Sequence, residues 1–398
     1  STPSTTYNYS TDTDATVTLP KPTWKYPFRN EAGGYSGAKC FMMTISDINP
    51  SFDTDQIPGS AFTNSIDSTL PGLNVATEAA TIWANEEQSN PAFIGESLDN
   101  TPTYDGAPTP KTVTSLGRIR GLSPEEPTKK GGYYSASVAY FGNAKGIGGK
   151  PGKQRVETMS VAVASPLPRI EIPITNTIGN ATVKSMVTLV PFAKSVGGSG
   201  ISAKQGDFQP TDQIVDFYVE KIANTGPGNQ DATDNGGRPH GVFRINYEDV
   251  EQGADHDMDA IVRYEFWLQA DNTIKVTLDS IYAAGGIIQH MGYVISGTDG
   301  QDGIYLDVRD LDTSSGDPDY YLDTPVSTTT DASGMTLKRT EWSSTAYKDS
   351  VMLPTTATRL FRPAQSGIAS TAAFIKHDPL WYAAKWGGFA DKDSNSLP

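Results

Sequence analysis

The densest run of potential ligands in the chain is residues 248–259, EDVEQGADHDMD, which holds six carboxylates within twelve residues. Calcium takes about six to eight oxygen ligands and accepts alternate acidic residues of one loop together with a flanking Glu. The spacing therefore predicts a calcium site whose principal ligands are Glu251, Asp255, Asp257 and Asp259. The pattern differs from an EF-hand, and a solvated acidic loop is the alternative interpretation.

Two weaker groups of oxygen donors follow predicted strands. The first consists of Asp47, Asp53 and Asp55, and the second includes Asp310 and Asp312. Both groups present alternate carboxylates that could bind a cation. Asp and Asn are also ordinary turn residues, so a purely structural role is the alternative for each group.

Catalytic patterns are weak in this sequence. The histidines show no metal-ligand spacing and accompany no recognisable nucleophile motif; they are His240, His256, His290 and His377. A pair of carboxylates for glycoside hydrolysis is defined by distance in space, so an acidic chain gives no useful signal for one. We therefore predict that the protein is not an enzyme.

The composition indicates a folded, acidic, strand-rich protein. The chain has 398 residues and a formal net charge of −15, which disfavours binding to nucleic acid or anionic lipid. Its 38 Gly and 27 Pro are typical of short strands joined by turns. No apolar run approaches the roughly 20 residues of a membrane-spanning helix. The single cysteine, Cys40, is predicted to be a core thiol.

The first 150 residues combine a polar arm with alternating strands and helices. Residues 1–30 predict an extended arm with one strand near 15–19. In the α/β part at 31–150, residues 38–47 predict a fully buried strand. Residues 72–87 predict a helix whose apolar face lies opposite Glu78 and Glu86, and residues 133–141 predict a second helix.

The pattern changes after residue 150. Alternation with period two recurs from 151 to 365 and predicts a β-sandwich that carries the acidic loop. Residues 366–398 are rich in Ala and Trp and predict a junction segment packed between domains. The predicted fold class is therefore mainly β, α+β overall, with a partial α/β part before the sandwich region.

The segment DPLWYAAKWGGF at 378–389 resembles the PilY family of type IV pilus assembly proteins and tip adhesins. Further similarity lies in SPEEPTKKGGYYSASVAYFGN, QRVETMSVAVASPLPRIEIP and INYEDVEQGADHDMDAIVRYE, so the resemblance covers about residues 38–398. It implies that residues 31–150 are a partial von Willebrand A-like domain, and that a β-propeller would follow the junction segment.

The resemblance also implies a function. It predicts an extracellular protein at the bacterial surface or pilus, exported through the periplasm, which assists pilus assembly and adhesion. Its partners would be minor pilin subunits or copies of itself. Calcium, the predicted cofactor, is inferred from the acidic loop at 248–259. Two alternatives remain open: a self-polymerising filament subunit joined by strand addition, and a secreted calcium-dependent polysaccharide hydrolase.

Overall fold

A computed structural model of the chain describes residues 4–5, 17–18, 39–62, 70–86, 90–99, 104–146, 154–163, 167–178, 181–198, 201, 210–250, 258–284, 286–312, 352–364, 374–375 and 377–398. The structure is mostly strand with few helices, as predicted. Two of the short strands, β1 (Ser4–Thr5) and β2 (Val17–Thr18), pair antiparallel with each other. The rest of the predicted polar arm lies outside the described residues.

The predicted β-sandwich is confirmed and consists of two antiparallel sheets. A five-stranded sheet has the order β10-β11-β12-β13-β16, with β10 (Asp212–Ala223), β11 (His240–Asp249), β12 (Ala260–Leu268), β13 (Ile274–Ala283) and β16 (Thr356–Phe361). A four-stranded sheet has the order β15-β14-β9-β8, with β8 (Ile170–Ile178), β9 (Ala181–Gly197), β14 (Ile288–Ser296) and β15 (Gly303–Arg309).

Alternation of apolar and polar residues places the sandwich core between these sheets. Along β12 every second residue is buried, and its inward side chains are Ala260, Val262, Tyr264, Phe266 and Leu268. The facing sheet contributes Ile172, Val187, Met291 and Tyr305, among others. Full burial of one such aliphatic or aromatic side chain contributes about 1.5–3 kcal/mol, so this core provides the main driving force for folding the sandwich.

Strand β9 has an unusual position in its sheet. Its first half pairs with β8, from Ala181 to Leu189, and its second half pairs with β14, from Thr188 to Gly197. The two ladders therefore lie nearly end to end along a single strand. The outer face of this sheet carries a second cluster of buried apolar residues, which includes Phe192 and Val294 and also Phe93 from the N-terminal part.

The N-terminal part and the C-terminal segment share one core. Three helices, α1 (Val75–Asn85), α2 (Tyr134–Ala144) and α3 (Pro379–Gly388), contribute to it, together with a small sheet of order β5-β4-β6. These strands are β4 (Ala92–Ser97), β5 (Tyr104–Lys111) and β6 (Ile119–Arg120). The two predicted helices are present, and the predicted junction segment forms α3, where Trp386 is completely buried.

The predicted apolar face of α1 is correct, but the prediction that its acidic residues face away from the core is wrong. Val75, Ala79 and Ile82 are fully buried. Glu78 is also buried, because Lys145 after α2 reaches its carboxylate and forms an ion pair. Glu86 accepts a hydrogen bond from the indole Nε1 of Trp386 at 2.7 Å. Both carboxylates therefore help to fix helices that are distant in sequence.

The prediction of a fully buried strand at 38–47 is wrong. β3 (Cys40–Ser46) pairs in parallel with β7 (Val156–Ala162), and α2 and α3 pack against β7. Large apolar side chains are exposed on both faces of β3, since Phe41, Met43 and Ile45 point one way and Met42 points the other, and β7 also exposes Met159 and Val161. Cys40 has intermediate exposure, so it is not the predicted core thiol. A continuous apolar run indicates burial on both faces only where a second layer covers the sheet.

Strand β7 also bears on the domain limits. It belongs with β3, although its alternating sequence placed it in the predicted sandwich region that begins at 151. The limits 1–30, 31–150, 151–365 and 366–398 stay a prediction. No helix in the described part of the chain is both long and apolar enough to cross a membrane.

Candidate functional site

A group of buried polar side chains lies at the end of the sandwich where β10 begins, β11 ends and β14 begins. Its side chains are all at most 8% exposed and come from both sheets; we call this set the polar end cluster, and it consists of Ser195, Thr211, Asp212, Asp249, Gln289 and Asp310. The chain brings them together because strand ends from the two sheets meet there, although Asp212 and Gln289 are 77 residues apart.

Asp212 is the centre of the polar end cluster. Its Oδ1 accepts hydrogen bonds from Ser195 Oγ at 2.7 Å and from Thr211 Oγ1 at 3.1 Å, and its Oδ2 accepts one from Gln289 Nε2 at 3.0 Å. Burial raises the pKa of Asp212 to about 7, and the nearby Asp249 carboxylate adds to the rise. These contacts link the five-stranded sheet directly to the four-stranded sheet.

The root of the acidic loop joins this cluster. Asp249 stands opposite Asp212 in the β10–β11 register, and its backbone N donates to Asp259 Oδ2 at 2.7 Å. Beside them, the backbone N of Met258 donates to Glu248 Oε2 at 3.3 Å. Glu248 and Asp249 are both almost completely buried. The β11–β12 hairpin therefore carries buried carboxylates at the point where the loop leaves the sheet.

The structure describes one of the four principal calcium ligands that the sequence predicts. Asp259 is buried at the loop root. Glu251, Asp255 and Asp257 lie outside the described residues. Within the described ranges, no three Asp, Glu, His or Cys side chains form a group that could hold a metal by themselves. The calcium site of the loop stays a prediction.

The group Asp47, Asp53 and Asp55 has separate structural roles. Asp53 accepts hydrogen bonds from the backbone N of Gly132 at 2.6 Å and of Ser135 at 2.9 Å, so its carboxylate lies at the N-terminus of α2. Anions stabilise that end of a helix. Burial raises the pKa of Asp53 to about 6.

The other two carboxylates of that group have nearby donors. Asp55 lies 3.5 Å from both Arg120 and Lys130, which compete with a metal cation for its oxygens. Asp47 accepts a hydrogen bond from Ser46 Oγ at 3.0 Å. These contacts favour the structural alternative for this group over a cation site.

The second weaker group separates into two different environments. Asp310 is fully buried, and its Oδ2 accepts a hydrogen bond from the backbone N of Gln289 at 2.6 Å, which places it in the polar end cluster. Asp312 is exposed two residues further along the chain. The structure therefore brings Asp259 and Asp310, predicted in separate groups, to one end of the sandwich.

Sequence reasoning missed Asp212, Asp249 and Gln289 as members of one site. The available signal was a polar residue at a position where the alternation of a strand predicts an inward side chain, and Gln289 in GGIIQHMGYV is such a case. That signal marks one residue at a time. It does not show which strand ends meet, because this depends on the order of the strands in each sheet.

The histidines that the structure describes make contacts that are typical of structural roles. His240 lies between Asp234, 2.7 Å from its Nδ1, and Glu265, 2.9 Å from its Nε2. His290 is fully buried, and the ring of His377 stacks on Trp381. A cleft beside His377 is lined by Glu125, Asp378, Arg169 and Tyr133, among others. His256 lies outside the described residues.

Asp302 is a buried carboxylate at the other end of β14, and its environment predicts that stability depends on pH. Burial raises its pKa to about 6, although Thr298, Gly297 and Ser296 donate hydrogen bonds to it. Because the folded-state pKa lies above the ordinary 3.8, the protonated carboxyl favours folding. This contribution is fully present at pH below 3.8 and is lost as the pH rises through about 6.

We therefore expect Asp302→Asn to reduce the decline in stability between about pH 4 and about pH 7, because the variant lacks this titration. Melting temperatures of the variant and of the unaltered chain across that range measure the effect. Asp271→Asn is the control, since Asp271 is an exposed carboxylate whose pKa is lowered mainly by the Thr273 hydroxyl. An identical pH slope in the Asp302 variant would contradict the prediction.

Comparison with known proteins fits this architecture of a β-sandwich joined to an α+β part. The family description "PilY1 homolog, second domain" matches residues 1–142, and "PilY1 homolog, beta-sandwich" matches residues 179–346. A curated protein of Xylella fastidiosa (strain Temecula1), called a type IV pilus biogenesis factor PilY1 homolog, is 47% identical over 402 residues. The chain is therefore a PilY-family region.

The match covers 96% of this chain and 25% of the relative, so the chain spans about a quarter of the curated protein that it matches. No solved structure matches the chain significantly. The von Willebrand A-like interpretation of residues 31–150 is not confirmed, because the N-terminal match is to the second domain of PilY1 homologs.

Proposed function

We propose that this chain is a structural and adhesive part of a type IV pilus biogenesis factor that acts at the cell surface or pilus tip. The observation that carries the proposal is the 47% identity to a protein named as such a factor, along almost the whole chain. The architecture supports a spacer role, because the two sheets share a large apolar core and are also joined by the polar end cluster. We assign the chain no catalytic role.

The proposal includes calcium as a stabilising ligand of the 251–257 loop. The buried carboxylates of Glu248, Asp249 and Asp259 at the loop root support it, because they add to the negative charge that would attract a cation to the loop. A bound cation would hold the loop against the sandwich at extracellular calcium concentrations.

The cellular role is tested in the bacterium that encodes the protein. Deleting the gene is expected to reduce surface pili, counted by electron microscopy, and attachment to surfaces. The unaltered gene should restore both, whereas an otherwise intact gene lacking the coding region for residues 167–364 should not. Piliation and attachment that persist without the gene would overturn the proposal.

The calcium component is tested by thermal unfolding of the 398-residue chain. Calcium at 100 times its dissociation constant should raise the free energy of unfolding by about 2.7 kcal/mol, because it binds only the folded state. Melting is compared in excess chelator and in millimolar calcium, with magnesium as the control ion. An unchanged melting temperature would contradict the calcium component.

A further inference from the structure

The parallel pair of β3 and β7 exposes one apolar face. Residues paired in parallel register point to the same face, so Met43 lies beside Met159 and Ile45 lies beside Val161. We call this set the open face, and each of its side chains is between 42% and 71% exposed; it consists of Phe41, Met43, Ile45, Met159, Val161 and Val163. Single exposed apolar residues are normal, but a group of large ones on one face marks an interaction surface.

The opposite face of β7 is closely covered by helices. A Cβ atom at Gly387 of α3 would lie 2.7 Å from the Thr158 Cβ, and one at Gly388 would lie 2.7 Å from the Thr158 carbonyl oxygen. Only glycine permits so close an approach of the helix backbone. On the same face, a Cβ at Gly142 of α2 would lie 3.4 Å from the Val156 Cβ. This strand therefore carries a helical layer on one face and, among the described residues, none on the open face.

The outer edge of β3 also lacks a partner strand in the part of the chain that the structure describes. β3 forms a two-stranded sheet with β7, so the backbone N–H and C=O groups of its other edge pair with no described strand. Parallel sheets occur almost only with both faces covered, and their strands are nearly continuous apolar runs. The sequence of β3, CFMMTIS, is such a run. Two parts are therefore missing from this sheet: a strand beside β3 and a layer over the open face.

Polypeptide outside these 398 residues is the best source of the missing parts. The segments of this chain outside the described residues, of which 313–351 is the longest, contain no run of four large apolar residues that could form such a strand. The curated relative is much longer, since the match covers 25% of its length. A protein of that length has ample sequence for further strands. Parallel strands are joined through crossover helices, so an added parallel strand would bring a helix with it.

We propose that β3 and β7 belong to a larger parallel sheet that another part of the same protein completes. That part adds a strand along the outer edge of β3 and packs the apolar side of a helix on the open face. The occupant is polypeptide of the same gene product beyond residues 1–398, and the contact forms the interior of a domain. The inference concerns how the protein assembles, so it can fail while the calcium and pilus proposals stand.

Cysteine labelling of the full-length protein and of the 398-residue chain tests the inference. Ile45→Cys is placed in a Cys40→Ala background and treated with a maleimide, and mass spectrometry of peptides locates the label. We expect position 45 to react at least about tenfold more slowly in the full-length protein than in the chain, because it becomes buried. Val219→Cys on β10, where Val219 is 52% exposed, is the matched control and should react equally in both. Met43→Cys provides a second position on the open face.

Three other outcomes would contradict the inference. Equally rapid labelling of position 45 in both proteins would show that the open face stays exposed. Slow labelling in a monomeric 398-residue chain would show that a segment of this chain covers the face. Slow labelling in a dimeric chain, detected by light scattering and reversed by Ile45→Asp, would assign the face to a second copy. Circular dichroism verifies that each variant is folded.

Discussion

Replacing Arg359 with alanine is expected to destabilise the sandwich by about 3–5 kcal/mol, because the change leaves a buried charge without its partner. Arg359 Nε lies 2.6 Å from Asp307 Oδ1, and the Asp307 side chain is only 3% exposed. Asp307 also accepts a hydrogen bond from the Tyr293 hydroxyl at 2.9 Å, and the guanidinium lies over the Tyr305 ring. The ion pair therefore anchors β16 against the aromatic residues of the opposite sheet.

Chemical denaturation followed by circular dichroism measures this loss. The matched control is Arg244→Ala, which breaks an ion pair with Glu220 at the surface. The side chain of Arg244 is 44% exposed and that of Glu220 is 35% exposed. An exposed pair contributes about 0–1 kcal/mol, so this variant should remain close to the unaltered chain. The combined change Arg359→Met with Asp307→Leu should recover part of the loss, since no buried charge remains. Equal stability of the two arginine variants would contradict the prediction.

Replacing Trp386 with alanine is expected to destabilise the part formed by α1, α2 and α3 by about 3–5 kcal/mol. The indole is fully buried, meets the Tyr140 ring edge-on at 5.0 Å, and donates its Nε1–H to Glu86. Truncation would create a cavity and would also remove a hydrogen-bond donor from a largely buried carboxylate. Trp386→Phe should have an intermediate cost, because it fills most of the volume but leaves Glu86 without that donor.

Trp381 is a natural control for this prediction, since it occupies the same helix and is 40% exposed. Trp381→Ala removes an equally large side chain, but the protein around it does not enclose a cavity. The melting temperature of the part containing the three helices, followed by intrinsic fluorescence, should fall strongly for Trp386→Ala and little for Trp381→Ala. A similar fall for both variants would show that burial in the shared core is not the cause.

The sequence predicts helices and strands well where the spacing of apolar residues within one segment determines its secondary structure. The alternation over 260–268 gives β12 directly, and the apolar spacing over 75–83 gives α1. The resemblance around 378–389 leads to the correct family. In these segments the period of the apolar residues and the structure agree, because each segment buries one face against a single neighbour.

Prediction from the sequence fails where the burial of a residue depends on a neighbour that is distant along the chain. The apolar residues of β3 predict burial, but most side chains on both faces of this strand are exposed, and among the described residues only β7 pairs with it. The helical pattern predicts that Glu78 faces solvent, but Lys145 at the end of α2 forms an ion pair with its carboxylate. The polar end cluster depends on strand order for the same reason. Local sequence patterns indicate to which face of an element a side chain points. They do not indicate which residues it contacts.

The arrangement of β9 has a mechanical consequence for the spacer role proposed above. Its ladder with β8 and its ladder with β14 overlap only at Thr188 and Leu189. A pulling force applied to β8 is therefore passed to β14 mainly through the covalent backbone of β9, which does not yield. The hydrogen bonds of each ladder then share the load along the strand, so rupture requires many of them to break together. Such a sheet should lengthen little under tension before it fails.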